Sequence, residues 1–186
     1  MKKAGVILIF LVLLTGCSHS ASEIERGMAL RGRLLQASSC SFDADITADY
    51  GEKIYTFSMT CEADARGGIR FTVTAPESIA GITGTVADDG GKLTFDDTAL
   101  QFDLMADDQV TPVSAPWILL KTLRGGYLTS ACTEEGLLRL TVDDSYEDEA
   151  LHLDIWLNQE DIPLRADILY DCKRILSLNV NHFTIV

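Results

Sequence analysis

Residues 40–61 alternate between apolar and polar side chains on both sides of a short turn. The turn is Asp-Tyr-Gly-Glu at residues 49–52, where Gly51 can take a positive φ at little cost. Because strand side chains point alternately to two faces, the pattern predicts a β-hairpin with one apolar face. With a two-residue loop at Tyr50-Gly51, that face holds three facing pairs: Phe42 with Met59, Ala44 with Phe57, and Ile46 with Tyr55.

The same alternation continues in short segments that are separated by turn residues. It predicts strands at about 69–75, 82–86, 92–96, 99–105, 127–132, 137–143, 150–157, 163–170 and 175–185. Helical spacing replaces it twice, at about 23–37 and 116–124. The first helix is expected to start at Ser22, which forms a capping box with Glu25. Gly125-Gly126 is expected to end the second. The chain is therefore α+β, with an antiparallel meander and few helices.

Each helix carries an apolar stripe that is expected to pack on the sheet. In the first helix the stripe is Ile24, Met28 and Leu35, with Leu30 and Leu34 beside it. A ligand-facing role for Met28 is the alternative. In the second helix Trp117, Leu120 and Leu123 share a face, and Trp117 could instead act as a lid over a cavity.

Two details of strand pairing remain to be chosen in the last third of the chain. Two registers keep the apolar faces of 151–157 and 164–170 together. The one that sets Asp154 opposite Arg165, and His152 opposite Asp167, is the better choice electrostatically. In the final strand the apolar residues change from even positions (176, 178 and 180) to odd positions (183 and 185). This change predicts a bulge near Asn181 or burial of both faces.

The first residues have the pattern of an export signal. Lys2 and Lys3 precede an apolar run at 4–14 that is too short to span a bilayer. Leu14-Thr15-Gly16-Cys17 then looks like a bacterial lipobox. We expect residues 1–16 to be a lipoprotein signal peptide, Cys17 to carry the lipid, residues 17–21 to be a tether, and residues 22–186 to form one domain. An ordinary secretory peptide with an incidental Cys17 is the alternative.

The mature chain is strongly acidic. Without residues 1–16 it has 13 basic and 28 acidic residues, a net charge of −15. Such a charge repels nucleic acid and anionic headgroups, so neither a nucleic-acid partner nor electrostatic membrane binding is expected. A lipid anchor at Cys17 would instead hold the protein on the extracytoplasmic face of the cell membrane.

Four cysteines remain besides Cys17, an even number in a chain predicted to be exported. The hairpin register above sets Cys40 opposite Cys61, close enough for a cross-strand disulfide. Cys132 and Cys172 are then paired by subtraction. Zinc is the competing interpretation, but no CxxC or CxxH spacing occurs.

Motifs of catalysis are absent from the sequence. It has no GxSxG, HExxH, P-loop or dinucleotide fingerprint. His152 and His182 stand singly on predicted strands, as surface histidines do. The acidic segment 143–149 lacks EF-hand spacing. We therefore expect no enzyme activity, no catalytic residues, no metal and no cofactor.

Three segments resemble the lipoprotein-carrier superfamily of LolA and LolB. They are the link Pro-Glu-Ser-Ile-Ala-Gly-Ile at 76–82, the Pro-containing apolar helix at 116–124, and the strand–turn–Pro-Leu-Arg stretch at 154–167. The resemblance implies a curved open antiparallel sheet, a half-barrel of about 9–11 strands, wrapped around two or three helices. It is closest to anchored lipoproteins of Gram-positive type, and anchoring and four extra cysteines set this chain apart from the soluble carriers.

Two functions follow from this architecture. The first is a binding module that holds an acyl chain, lipid or lipidated peptide in a cavity between sheet and helices. The residues expected to line that cavity are Phe42, Ile46, Tyr55, Phe57, Met59, Phe71 and Trp117. The second is a non-catalytic envelope scaffold or regulatory lipoprotein that contacts a protein partner and has a filled core. A cavity of roughly 300 Å³ or more favours the first.

Overall fold

The alternating segments form one antiparallel sheet in a computed structural model of the protein, which describes residues 18–64, 67–106, 109–147 and 150–186. The predicted signal peptide and Cys17 lie outside these residues. The elements are α1 (Ser18–Gln36), β1 (Ser39–Asp49), β2 (Ile54–Asp64), β3 (Ile69–Ala75), β4 (Thr83–Ala87), β5 (Gly90–Phe95), β6 (Thr98–Phe102), β7 (Met105–Ala106), β8 (Gln109–Val110), a 3₁₀ turn (Pro112–Ser114), α2 (Ala115–Gly125), β9 (Tyr127–Glu134), β10 (Leu137–Asp143), β11 (His152–Leu157), β12 (Pro163–Tyr170) and β13 (Lys173–Ile185).

The eleven strands of the main sheet are ordered β6-β5-β4-β3-β2-β1-β13-β12-β11-β10-β9, and β7 and β8 form a separate ribbon. The last strand therefore pairs with the first, so that Ser38 N–H donates to the Val186 carbonyl at 2.7 Å. The sheet is curved and open, and both α-helices of the described residues cover its concave face. This confirms the predicted fold class. Neither of these helices is long and apolar enough to cross a bilayer.

The hairpin has the predicted faces but a different register. Its turn contains four residues, Tyr50 to Lys53, so Asp49 lies opposite Ile54. Every partner is therefore shifted by two residues, and Phe42 faces Cys61 instead of Met59. The shift is even, so the apolar alternation survives and Phe42 stays buried. The two-residue loop was the wrong choice of turn.

This register also changes the prediction for the first cysteine pair. Cys40 lies opposite Ala63, so Cys40 and Cys61 are diagonal neighbours, and both are buried free thiols. Directly opposite positions, on which the predicted disulfide depended, are not available to them. Desolvation raises the pKa of both thiols, and the nearby Asp43 and Cys40 add to the rise in the pKa of Cys61.

The structure keeps the second predicted pair, Cys132 and Cys172, apart. Both are exposed free thiols. Cys132 is on the edge strand β9, whereas Cys172 is in the turn between β12 and β13. Three strand spacings separate β9 from β12, roughly 14 Å at about 4.8 Å each. A disulfide requires Cα atoms within about 7 Å, so these cysteines cannot pair within one chain.

Thiol labelling will test this arrangement. In the domain of residues 18–186 we expect Cys132 and Cys172 to react with an aqueous maleimide immediately, because they are exposed. Cys40 and Cys61 should react on the order of a hundredfold or more slowly, only through opening of the core. The measurement is thiol counting by mass before and after unfolding. No additional thiols on unfolding would instead show that Cys40 and Cys61 are oxidised to each other.

The β11–β12 pairing is the second register that differs by two residues. Asp154 lies opposite Asp167, and Arg165 lies opposite Trp156. The two carboxylates tolerate this because each has its own cation: Arg139 Nη2 is 2.7 Å from Asp154 Oδ2, and Arg165 Nη2 is 2.9 Å from Asp167 Oδ2. The pairing expected from charge was wrong because Asp154 finds its cation, Arg139, on a third strand, β10. The predicted bulge near Asn181 is confirmed by the register shift opposite Ser41–Asp43.

The first helix is longer than predicted and buries a different side. It begins at Ser18 in the described residues, so residues 18–21 are helical and Ser22 is not an N-cap. Leu30 and Leu34 are buried at 0% and 1% exposure, and they face the sheet. The predicted core stripe is exposed instead: Ile24 at 41%, Met28 at 48% and Leu35 at 62%.

Candidate functional site: an apolar groove beside the first hairpin

A groove of about 1040 Å³ opens between the β1–β2 turn, the β3–β4 connection and the segment before α2. Most of its wall is apolar. The lining includes Ile54, Tyr55 and Phe57 of β2, Val73 of β3, Pro76, Ile79 and Ile82 of the connection, Leu93 of β5, and Val110, Pro112 and Val113 before α2. Glu52, Lys53, Gln109 and Thr111 are its polar residues together with Thr56 and the Tyr50 hydroxyl.

The β3–β4 connection forms one wall because Pro76 cannot donate to a strand ladder. β3 ends before it, and the chain folds into a compact turn in which Ile79 N–H donates to the Pro76 carbonyl at 3.1 Å. Gly81, at φ +89°, closes the turn by donating to the Val73 carbonyl at 2.9 Å. Ile79 and Ile82 are thereby directed onto the core and line the groove.

Tyr50 joins the opposite wall to the segment before α2. Its hydroxyl donates to the Val110 carbonyl, and its ring lies 6.3 Å from that of Tyr55, edge to face. Burial raises the pKa of Tyr50, with a further rise from Tyr55, so this hydroxyl stays protonated and remains a donor. The β1–β2 turn is therefore fixed to β8, and the groove has a preformed mouth.

The apolar surface continues beyond the groove onto the two outermost strands. Leu93 lies opposite Leu100 of the edge strand β6, and Phe95 is on the same face two residues further on. Leu100 is 62% exposed and Phe95 is 48% exposed, because neither helix reaches this end of the sheet. The apolar surface of the groove therefore extends to the edge of the sheet.

The structure places only two of the seven predicted lining residues in the groove, namely Tyr55 and Phe57. The other five belong to the filled core: Phe42, Ile46, Met59, Phe71 and Trp117, all at 4% exposure or less. The reason is that α2 and the 3₁₀ turn lie on the concave face above them. Trp117 is therefore a core residue and not a lid, and its Nε1 has no partner among the described residues.

Sequence reasoning missed most of the actual wall. The sequence pointed to the link 76–82 only as a family motif, and it did not predict that the segment before α2 lines a site. One signal was present: Val110 and Val113 are apolar residues inside a segment that otherwise reads as loop. Apolar side chains in a loop indicate that the loop packs against another part of the protein. Val110 is 1% exposed and lies in the groove wall.

His152 and His182 each lie beside one carboxylate in the described part of the chain. His152 is 2.7 Å from Asp143, and His182 is 2.8 Å from Asp43; both histidines are exposed, as predicted. Within the described residues no three His, Cys, Asp or Glu side chains are arranged to hold a metal ion.

The fold on which this groove lies is an open curved antiparallel sheet with helices on its concave face. No protein-family model matches the sequence, and no curated protein matches it. Solved structures do match.

The matching structures include the superfamily that the sequence motifs resemble. A LolA superfamily protein from Nitrosomonas europaea aligns over 91% of this chain and 94% of its own, with a TM-score of 0.45 and 9% identity. A putative outer membrane lipoprotein-sorting protein domain from Vibrio parahaemolyticus aligns over 87% and 91%, with a TM-score of 0.47 and 8% identity. The Mycobacterium tuberculosis lipoprotein LppX aligns over 88% and 92%, with a TM-score of 0.42 and 12% identity.

Proposed function

We propose that this protein is a membrane-anchored extracytoplasmic lipoprotein whose groove binds an acyl chain, a lipid or a lipidated peptide. The observation that carries the proposal is the groove itself. Its volume of about 1040 Å³ is at the upper end of the usual range for small-molecule sites, roughly 300–1,000 Å³. If only water filled the groove, its many aliphatic and aromatic side chains would stay exposed to water, which is unfavourable.

The distribution of polarity favours an amphipathic ligand. Val73, Ile79 and Leu93 offer an apolar wall, whereas the charged Glu52 and Lys53 belong to the exposed turn at the mouth. An acyl chain gains about 0.8 kcal/mol for each methylene that leaves water. Its head group can stay at the mouth, where water still solvates it.

A second candidate is a scaffold that contacts another envelope protein through the edge strand β6. This strand, Thr98–Phe102, has the sequence Thr-Ala-Leu-Gln-Phe and no charged residue. It pairs only with β5 among the described strands, so its outer edge can accept a further strand. Leu100 would then contact the partner.

Native mass spectrometry of the domain without its signal peptide and Cys17, followed by organic extraction, separates the two. Co-purified lipid, or stoichiometric uptake of an added fatty acid, supports the binding module. A ligand-free mass with no uptake would refute it. The scaffold would then be the working hypothesis, to be tested with charged substitutions in β6.

A further inference from the structure

The longer of the two α-helices in the described residues, α1, exposes an apolar stripe. Ile24, Met28 and Leu35 are 41%, 48% and 62% exposed. At 3.6 residues per turn they lie within about 40° of one another around the helix axis. Ala21 and Gly32, which are small and uncharged, are on the same side. The stripe therefore runs along α1 for almost its whole length.

The sheet holds this helix so that the stripe cannot turn inward. Gly27 lies against β10 so closely that a Cβ atom there would be 3.0 Å from Leu140 Cδ2. Leu30 and Leu34 fill the interface. On the far side, Arg26 Nη2 is 2.6 Å from Asp161 Oδ1 in the β11–β12 turn. Rotation of α1 would break all these contacts, so the exposure of the stripe is built into the fold.

One charged residue, Arg31, falls on the stripe by helical spacing, but its head group is turned away. Arg31 Nε and Nη2 donate to the Leu123 and Gly126 carbonyls at 2.9 and 2.7 Å, at the end of α2. The basic group thus satisfies two carbonyls of the other helix. The surface between Met28 and Leu35 is left with the stem of Arg31 and with Gly32.

The position of the predicted lipid anchor indicates what covers the stripe. Cys17 directly precedes Ser18, the first described residue of the helix, so no flexible linker separates the acylated residue from α1. We propose that α1 lies along the bilayer surface with Ile24, Met28 and Leu35 in the interfacial region. This rests on the proposed anchoring at Cys17. With a net charge of −15, the mature chain gains nothing from anionic headgroups, so the contact is apolar.

The groove and the C-terminal end of α1 lie at opposite ends of β1. α1 leads through Ala37 and Ser38 into the start of β1, whereas Tyr50 and the groove are at the other end of that strand. β1 has 11 residues, a length of about 36 Å at roughly 3.3 Å per residue. The C-terminal end of α1 is therefore about one strand length from the groove.

Site-specific fluorescence on the full-length acylated protein in phosphatidylcholine vesicles tests the proposal. An environment-sensitive dye is attached to M28C or L35C, in a background with C132S and C172S to remove the exposed native thiols. The matched control is A29C, which is exposed but about 100° away around the helix. We expect brominated lipid to quench the dye at 28 and 35 at least several-fold more than at 29.

Two results would overturn the proposal. Equal quenching by aqueous iodide at 28 and 29 would show that the stripe faces water. Shielding at 28 that depends on protein density and not on lipid quencher would show that a second copy covers it. The mass of the N-terminal peptide separates the failures: acylated Cys17 with an aqueous stripe refutes only this inference, and unmodified Cys17 refutes the anchor as well.

Discussion

Replacing Tyr55 with aspartate is expected to reduce acyl-chain binding at least tenfold and to leave the protein folded. Tyr55 lines the groove and is 48% exposed, so the change removes little from the core. A bound chain would have to desolvate the new carboxylate without giving it a partner, at a cost of at least 1–3 kcal/mol. A loss of about 1.4 kcal/mol is already tenfold in affinity. Fatty-acid titration with a fluorescent analogue measures the change.

Thr47→Asp is the matched control. Thr47 is on the same hairpin and is exposed, but its side chain points to the opposite face from the groove-lining Phe57 and from Ile46. It introduces the same charge without entering the groove, so we expect unchanged affinity. L93D, on the opposite wall, should behave like Y55D. Full binding by both Y55D and L93D in folded protein would contradict the assignment of the groove as the ligand site.

Truncating Leu30 to alanine is expected to lower the free energy of unfolding by about 2–5 kcal/mol, as for other fully buried leucines. Leu30 has no exposed surface, and it fixes α1 to the sheet. The exposed Met28, two residues earlier, is the control: M28A in the soluble domain should change stability by no more than about 0.5 kcal/mol. Urea unfolding of the domain of residues 18–186 measures both. A larger cost for M28A than for L30A would show that the helix packs with its other side.

The strand positions and faces follow closely from alternation, because a half-buried strand must place every second side chain in the core. β3 was predicted at 69–75 and is Ile69–Ala75; β12 was predicted at 163–170 and is Pro163–Tyr170. The strand registers do not follow from alternation. In both mispredicted pairs the error is two residues, which leaves every apolar side chain on its own face. The choice depends on turns, such as Tyr50–Lys53, and on third strands that supply ion pairs to residues such as Asp154.

The helix face was ambiguous in the sequence because α1 carries two apolar sides. One is formed by Leu30 and Leu34 with Gly27, and the other by Met28 and its neighbours. Helical spacing favours the larger stripe, the one with Met28, as the buried side. In the structure the side with Gly27 is buried, because a glycine lets the helix approach Leu140 of β10 closely. Whether a glycine in a helix marks a close packing contact depends on the residue opposite it. That residue belongs to a distant strand, so helical spacing does not reveal it.

The sequence by itself determined an antiparallel α+β chain, the two helices of the described residues and an acidic composition, because periodicity and charge are properties of neighbours along the chain. The export signal and the lipid anchor at Cys17 stay predictions. The tertiary structure decided what depends on distant segments: the two registers, the separation of Cys132 from Cys172, and the face of α1 that remains exposed. It also decided that Phe42 and Trp117 fill the core, whereas Ile79, Leu93 and Val110, far apart in the chain, converge on a groove. Packing alone distinguishes a buried side chain from one that lines an open cavity.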